Sequence, residues 1–253
     1  MFLVRYTTEG AMIGYEKSIK IYNDDIGCVD YIDHMGSDLT VVNSARVSFG
    51  VQRDSLDRRD KRLINYLIRH RHTSTLEHNL VTFKFTVPLF VRSQHHRHRT
   101  WSYNEISRRY TDKDMRFYEP KEFRTQHESN RQASNPDELI NPSLSSNFSG
   151  PLPSSPYHAS DAIISHHMKS LELFHKLIES GVCREQARAV LPQSLYTEYY
   201  GTVNLNNLLK FIDLRTHEGA QWEIQKVALA CLDIANDLWP VSVQSYRNIR
   251  GVG

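Results

Sequence analysis

Apolar side chains recur at Leu56, Leu63, Ile64, Leu67 and Ile68 while arginines and aspartates fill the positions between, a helical period that predicts an amphipathic helix over residues 54–71. The period changes downstream. Val81, Phe83, Phe85 and Val87 alternate with Thr82, Lys84 and Thr86, the pattern of a half-buried strand, and Pro88 closes it because proline cannot donate to a ladder. Pro88 also suits the first turn of a helix, here expected over residues 89–96. Earlier strands are expected at residues 1–6, 19–22 and 28–32, with an edge strand as one role for the first 25 residues. The last third reads as helical: residues 161–180 stopped by Gly181, 184–191 before Pro192, 204–215, and 218–238 before Pro240. Residues 124–160 are rich in Ser, Asn and Pro with few apolar positions, which predicts a long, mobile surface loop inside one domain. The expected organisation is a single domain over residues 1–253 with a polar insertion at about 125–158, and no repeat suggests a solenoid.

Composition narrows the class. A chain of 253 residues, 40% hydrophobic, can bury one substantial core, and no apolar run approaches the roughly 20 residues of a membrane helix. Residues 1–10 lack the apolar core and cleavage site of a secretory leader, so a cytoplasmic location is expected. Cys28, Cys183 and Cys231 are odd in number and far apart, fitting reduced thiols better than a disulfide framework or a zinc site. A formal charge of +2 does not argue for nucleic acid.

Local charge changes that picture. Residues 94–110, QHHRHRTWSYNEISRRY, hold four arginines against one glutamate, a density that calls for an anion. Arginine forks pair with phosphate, and Asn104, Glu105, Ser107 and Tyr110 add groups able to read a sugar or base edge, so a nucleotide fits better than bare phosphate. A solvated basic face or a nucleic-acid patch remains open on composition alone. His95, His96 and His98 are too close along a helix to converge on one ion, and no thiol or carboxylate pattern completes a metal set. Ser107 has no histidine–carboxylate pair placed by sequence to activate it, which points to binding rather than nucleophilic attack.

Arg97, His98 and Arg99, followed after seven residues by Ser107, resemble the arginine-histidine-arginine-x7-serine signature of flavin-dependent thymidylate synthases. Ser102, Asn104, Glu105, Arg109 and Tyr110 match around it. Further blocks in the same order are ARVSF at 45–49, HTSTLEH at 72–78, REQAR at 184–188, LYT at 195–197 and AQWEI at 220–224, so that the likeness covers roughly residues 27–240 outside the polar segment. Departures occur at His95, Asn206, Lys210 and Gly219, where the family usually carries other residues.

The resemblance implies an α+β fold, a largely antiparallel sheet surrounded by helices. It implies reductive methylation of dUMP to dTMP with FAD as cofactor, NADPH as reductant and methylenetetrahydrofolate as one-carbon donor, without an enzyme cysteine on the uracil. It places Gln94, Arg97, Glu105, Ser107, Arg108, Arg109, Arg188 and Arg215 at dUMP, with Arg215 against the uracil as the catalytic cation. It places Ser48, His72, Ser74, Glu77, Arg97, His98, Arg99, Glu105 and Asn204 at FAD; a Rossmann mode is not expected, since there is no Gly-x-Gly-x-x-Gly. If residues 204–215 form one helix, Asn204 and Arg215 lie on nearly the same face, about 16 Å apart. The family assembles as a homotetramer with sites between subunits. A relative acting on UMP, and a nucleic-acid-binding protein without flavin, are the rival readings.

Overall fold

Alternation places Val81, Phe83, Phe85 and Val87 on a face that is at most 1% exposed, and their strand lies at the centre of the main sheet. The computed structural model describes residues 3–6, 12–144 and 157–251, with the side chains of residues 3–6 and 12–16 left aside. In chain order the elements are β1 (Leu3–Tyr6), β2 (Met12–Glu16), β3 (Ser18–Lys20), β4 (Cys28–Met35), α1 (Asp38–Arg46), α2 (Arg58–Arg69), β5 (Leu80–Pro88), α3 (Leu89–His95), β6 (Ser102–Glu105), β7 (Phe123–Gln126), β8 (Ser134–Ile140), β9 (Ser143–Leu144) and β10 (Tyr157–His158). There follow α4 (Ala159–Glu179), α5 (Arg184–Ala187), β11 (Tyr196–Asn204), α6 (Leu205–Arg215), α7 (Trp222–Leu238) and α8 (Pro240–Arg250). Short 3-10 turns occupy Val47–Phe49, Thr73–Leu76 and Arg188–Val190.

The main sheet is antiparallel throughout, in the order β3-β4-β5-β11-β6. In the β5–β11 ladder Phe85 faces Tyr199 and Phe83 faces Gly201. A Cβ at Gly201 would stand 2.9 Å from the Phe85 ring and 3.2 Å from Trp101, so glycine is what lets these rings lie across β11. Leu208, Phe211 and Ile212 of α6, Val227, Ala228 and Cys231 of α7, and Val243 of α8 join the same fully buried core.

Several expectations are corrected. The helix anticipated at 54–71 begins at Arg58, because Asp57 accepts the amide hydrogens of Arg59 (2.6 Å) and Asp60 (2.8 Å) and so caps it there. The last third is not wholly helical: nine residues form β11, and a further helix, α8, follows Pro240. The polar stretch contains the β7–β8 hairpin and the short β9–β10 pair rather than one loop; Arg124 bonds Ser134 (3.0 Å) and Thr125 bonds Glu138 (2.7 Å), polar contacts that take the place of apolar burial. Residues 145–156 of that stretch lie outside the described residues. The strand expected at 19–22 is Ser18–Lys20, at the edge of the main sheet, and the one at 28–32 runs on to Met35.

Candidate active site

Helix α3 ends at His95, the chain turns through residues 96–101, and β6 then joins the edge of the sheet beside β11, so part of the basic segment is strand. His95 anchors the turn. It is fully buried, its Nδ1 lies 2.8 Å from the Tyr199 hydroxyl, and its ring packs edge-on to Trp101 (4.5 Å between centroids) and Phe85 (4.8 Å) and beside Phe211 (4.7 Å). Burial, then the charges of His98, His96 and Arg215, hold its pKa well below the usual histidine value, so it serves as an aromatic plug, which accounts for this departure from the family pattern. The Tyr103 hydroxyl reaches the carbonyls of His95 (3.0 Å) and His98 (3.2 Å) and stitches the turn to β6.

With the turn fixed, Arg97 and Arg99 stand exposed on either side of half-buried His98. Neither guanidinium has a side-chain partner among the described residues, which leaves both ready for an anion. His98 faces Arg215: the Arg215 Nε–H donates to His98 Nε2 (3.0 Å), and Nη2 donates to the Gln94 carbonyl (3.2 Å). Burial and then the Arg215 charge depress the His98 pKa to about 4, so the ring is neutral near pH 7 and can accept this bond.

A cleft of about 660 Å³ opens between the start of α3, the end of β6 and the segment after α5. Its lining includes Arg92, Glu105, Ser107, Arg108, Arg188 and Thr197. Glu105 Oε1 accepts from Thr197 Oγ1 (2.8 Å) and pairs with Arg92 Nε (3.1 Å), and its Oε2 has no hydrogen-bond partner among the described residues. Ser107 opens a tight turn: its Oγ accepts the Arg109 amide (3.3 Å) and its carbonyl accepts the amides of Tyr110 and Thr111. Arg108 is braced by the Lys113 carbonyl (2.7 Å), whereas Arg188 is exposed with no side-chain partner among the described residues. Arg109 sits at the rim, 3.4 Å from Glu185, so Glu185 pairs with this arginine and not with Arg188. Arg184 pairs with Asp112 (3.2 Å).

Of the residues expected at the nucleotide, Glu105, Ser107, Arg108 and Arg188 share this cleft; Gln94, Arg97, Arg109 and Arg215 do not line it. A separate neighbourhood collects residues expected at the flavin. Asn204 caps α6 through the Asn207 amide (2.9 Å), the Leu205 amide donates to the Asn79 carbonyl, and Asn206 Nδ2 donates to Glu77 (2.9 Å) beside Ser74. Exposed His72 lies edge-on to Tyr66, and exposed Ser48 precedes Phe49. Arg97 and Arg99, without side-chain partners among the described residues, and the hydroxyls of Ser48 and Ser74 are each donors of a kind that suits a pyrophosphate.

Sequence reading missed the partners that hold these groups: Arg92, Thr197, Gln221 and Glu223. Thr197 and the Gln221–Glu223 pair lay inside recognised blocks, yet nothing local revealed what they bond. A Ser–His–Glu chain does exist elsewhere, Ser194 Oγ to His167 Nε2 (2.6 Å) and His167 Nδ1 to Glu119 (2.8 Å), but none of its members lines the cleft. It ties α4 to the segment before β11. Cys28 and Cys231 are buried, which raises both thiol pKa values, and exposed Cys183 caps α5. Among the described residues no three His, Cys, Asp or Glu side chains converge as metal ligands, and no helix is long and apolar enough to cross a membrane.

A family model described as thymidylate synthase complementing protein matches residues 30–241. The chain is 41% identical over 225 residues to a flavin-dependent thymidylate synthase of Thermus thermophilus, covering 88% of this chain and 76% of that protein. It is 37% identical over 223 residues to one from Thermotoga neapolitana, covering 88% and 91%. Among solved structures it resembles a UMP/dUMP methylase from Streptomyces cacaoi bound with 5-Br dUMP, with a TM-score of 0.72 and 32% identity over 88% of this chain and 96% of that one.

Proposed function

The chain belongs to the flavin-dependent thymidylate synthase family, described also as thymidylate synthase complementing protein, and from that premise we propose that it methylates dUMP to dTMP using FAD, NADPH and methylenetetrahydrofolate. The observation that carries the reading is the turn at Arg97, His98 and Arg99 with Arg215 docked on neutral His98, beside a cleft whose polar lining suits a nucleotide monophosphate.

In this reading Arg188, Arg108 and Ser107 hold the phosphate, with Arg109 closing from the rim, and the open Oε2 of Glu105 accepts a sugar hydroxyl. Arg97, His98 and Arg99, with Ser48, His72, Ser74, Glu77 and Asn204, would hold FAD, which supplies the redox chemistry when bound. Arg215 faces the uracil. Two of its donors are already fixed by His98 and the Gln94 carbonyl, so the guanidinium meets the base without reorganising and stabilises the electron-rich, negatively charged form of the ring from which C5 attacks its one-carbon electrophile. A cysteine is not needed at C6, and none of the three lines the cleft. Completion of the site by a neighbouring subunit in a homotetramer would bring Ser48, His72, Ser74, Glu77 and Asn204, which do not line the nucleotide cleft, to its flavin.

The test is tritium release from dUMP labelled at C5, with FAD, NADPH and methylenetetrahydrofolate, and labelled UMP in parallel. Release from dUMP with dTMP formed is expected. Release from UMP alone would reassign the substrate, and release from neither would overturn the reading.

A further inference from the structure

A chain of hydrogen bonds, side chain to side chain as far as Gln94 and then through its backbone carbonyl, runs from the β7–β8 hairpin to Arg215. Glu223, only 3% exposed, lies in the first turn of α7. Its Oε1 accepts from Arg124 Nη2 (2.7 Å) and the Tyr118 hydroxyl (3.1 Å), and its Oε2 accepts from Gln221 Nε2 (2.8 Å). Gln221 Oε1 in turn accepts from Gln94 Nε2, and the Gln94 carbonyl accepts from Arg215 (3.2 Å).

The polarity of this chain follows from chemistry. A carboxylate paired with an arginine only accepts, so the Gln221 amide must turn its NH2 toward Glu223 and its oxygen toward Gln94. Gln94 must then turn its own NH2 toward Gln221. Its Oε1 accepts no hydrogen bond among the described residues and is not among the buried unpartnered atoms, so it is not sealed from solvent. Reversing Gln221 would set its oxygen against the Glu223 carboxylate and its NH2 against that of Gln94, and reversing Gln94 would set oxygen against oxygen, each at the cost of an unsatisfied polar group.

We propose that Glu223, acting through Gln221, is a positioning residue that locks Gln94 with its carboxamide oxygen outward, as the acceptor for the N3–H of the pyrimidine beside Arg215. The inference rests on the functional reading above. A uracil edge presents acceptor, donor, acceptor; Arg215 supplies donors, and a fixed acceptor next to it completes the match. Cytosine, which carries an acceptor at N3, meets that oxygen with its own lone pair.

The test compares wild type with Glu223→Gln and Gln221→Met. Gln221→Met leaves Glu223 bonded to Arg124 and Tyr118, so it breaks the relay without releasing the hairpin. Binding of dUMP and of 3-methyl-dUMP, flavin content, KM and kcat are measured for each. Both variants are expected to weaken dUMP about tenfold and raise KM by a similar factor, with flavin content and kcat at saturation within about twofold. Their affinity for 3-methyl-dUMP, which lacks the donor, should match that of wild type. Unchanged dUMP affinity in folded, flavin-loaded Gln221→Met, or an equal loss for both nucleotides, would overturn the relay. Wild type that takes up flavin but no dUMP would sink the functional reading, and the relay with it.

Discussion

At the scale of single residues, Arg215 and His98 define each other. Burial, and then the arginine's charge, keep the histidine neutral, and the neutral ring gives the arginine a fixed acceptor. Arg215→Ala should lower dTMP formation by at least about a thousandfold, in line with removal of a preorganised charge from a reacting centre, while flavin content, read by its absorbance, is kept. Substantial turnover would reject the role. His98 also carries a pH signature. Its folded pKa, about 4, lies below the ordinary histidine value near 6.5, so the unfolded chain binds the proton first. The stability tied to the neutral ring is complete above about pH 6.5 and is lost as pH falls through the window toward 4. Denaturant titrations of wild type and His98→Gln at pH 7 and pH 5 should show a smaller loss on acidification in the variant; parallel losses would mean that His98 does not titrate as described.

Among elements, the clearest dependence on distant chain is the start of α8. Trp239 at its cap position gives no side-chain bond to the helix amides, its indole N–H donating to the Gly36 carbonyl (3.2 Å), and Pro240 fills the first turn. The open amides of Val241 (2.8 Å) and Ser242 (2.9 Å) donate instead to the carboxylate of Asp38, which opens α1 about two hundred residues earlier and is 4% exposed. One buried carboxylate thereby caps one helix and fastens it to another. Asp38→Ala should cost about 2 kcal/mol, the scale of a lost cap plus buried orphan donors, measured by urea denaturation. A change under about 0.5 kcal/mol would show that water or a shifted helix start satisfies those amides as well.

Across the whole molecule, Ser48, His72, Ser74, Glu77 and Asn204, expected at the flavin, do not line the nucleotide cleft, whereas Glu105 does and His98 bonds Arg215; α6 spans about 16 Å between Asn204 and Arg215. Beside Ser48 an apolar patch stands open: Phe49 is 83% exposed and Val47 72%. Side chains of this size rarely stay in water without a partner surface. If a neighbouring subunit covers them in a homotetramer, Phe49→Asp should reduce the assembled fraction in light scattering and reduce bound flavin in parallel. A tetramer with full flavin content in that variant would separate the patch from the site.

Sequence alone determined the elements whose signal is local: the amphipathic period of α2, the alternation of β5, the short α3 after Pro88, and the spacing of Arg97, His98, Arg99 and Ser107 that marks the family. It was silent or misleading where side chains count both ways. The tyrosines and threonines of β11 satisfy a strand or a polar turn equally well, and the β7–β8 hairpin is held by hydrogen bonds among residues that individually read as loop. Only the tertiary structure decided which groups meet. His98 and Arg215 are separated by 117 residues, and Gln94 and Gln221 by 127. Residue type and spacing constrain the backbone over a few turns, whereas the partner that fixes a ring's protonation or an amide's direction is set by how the sheet and helices bring the chain back on itself.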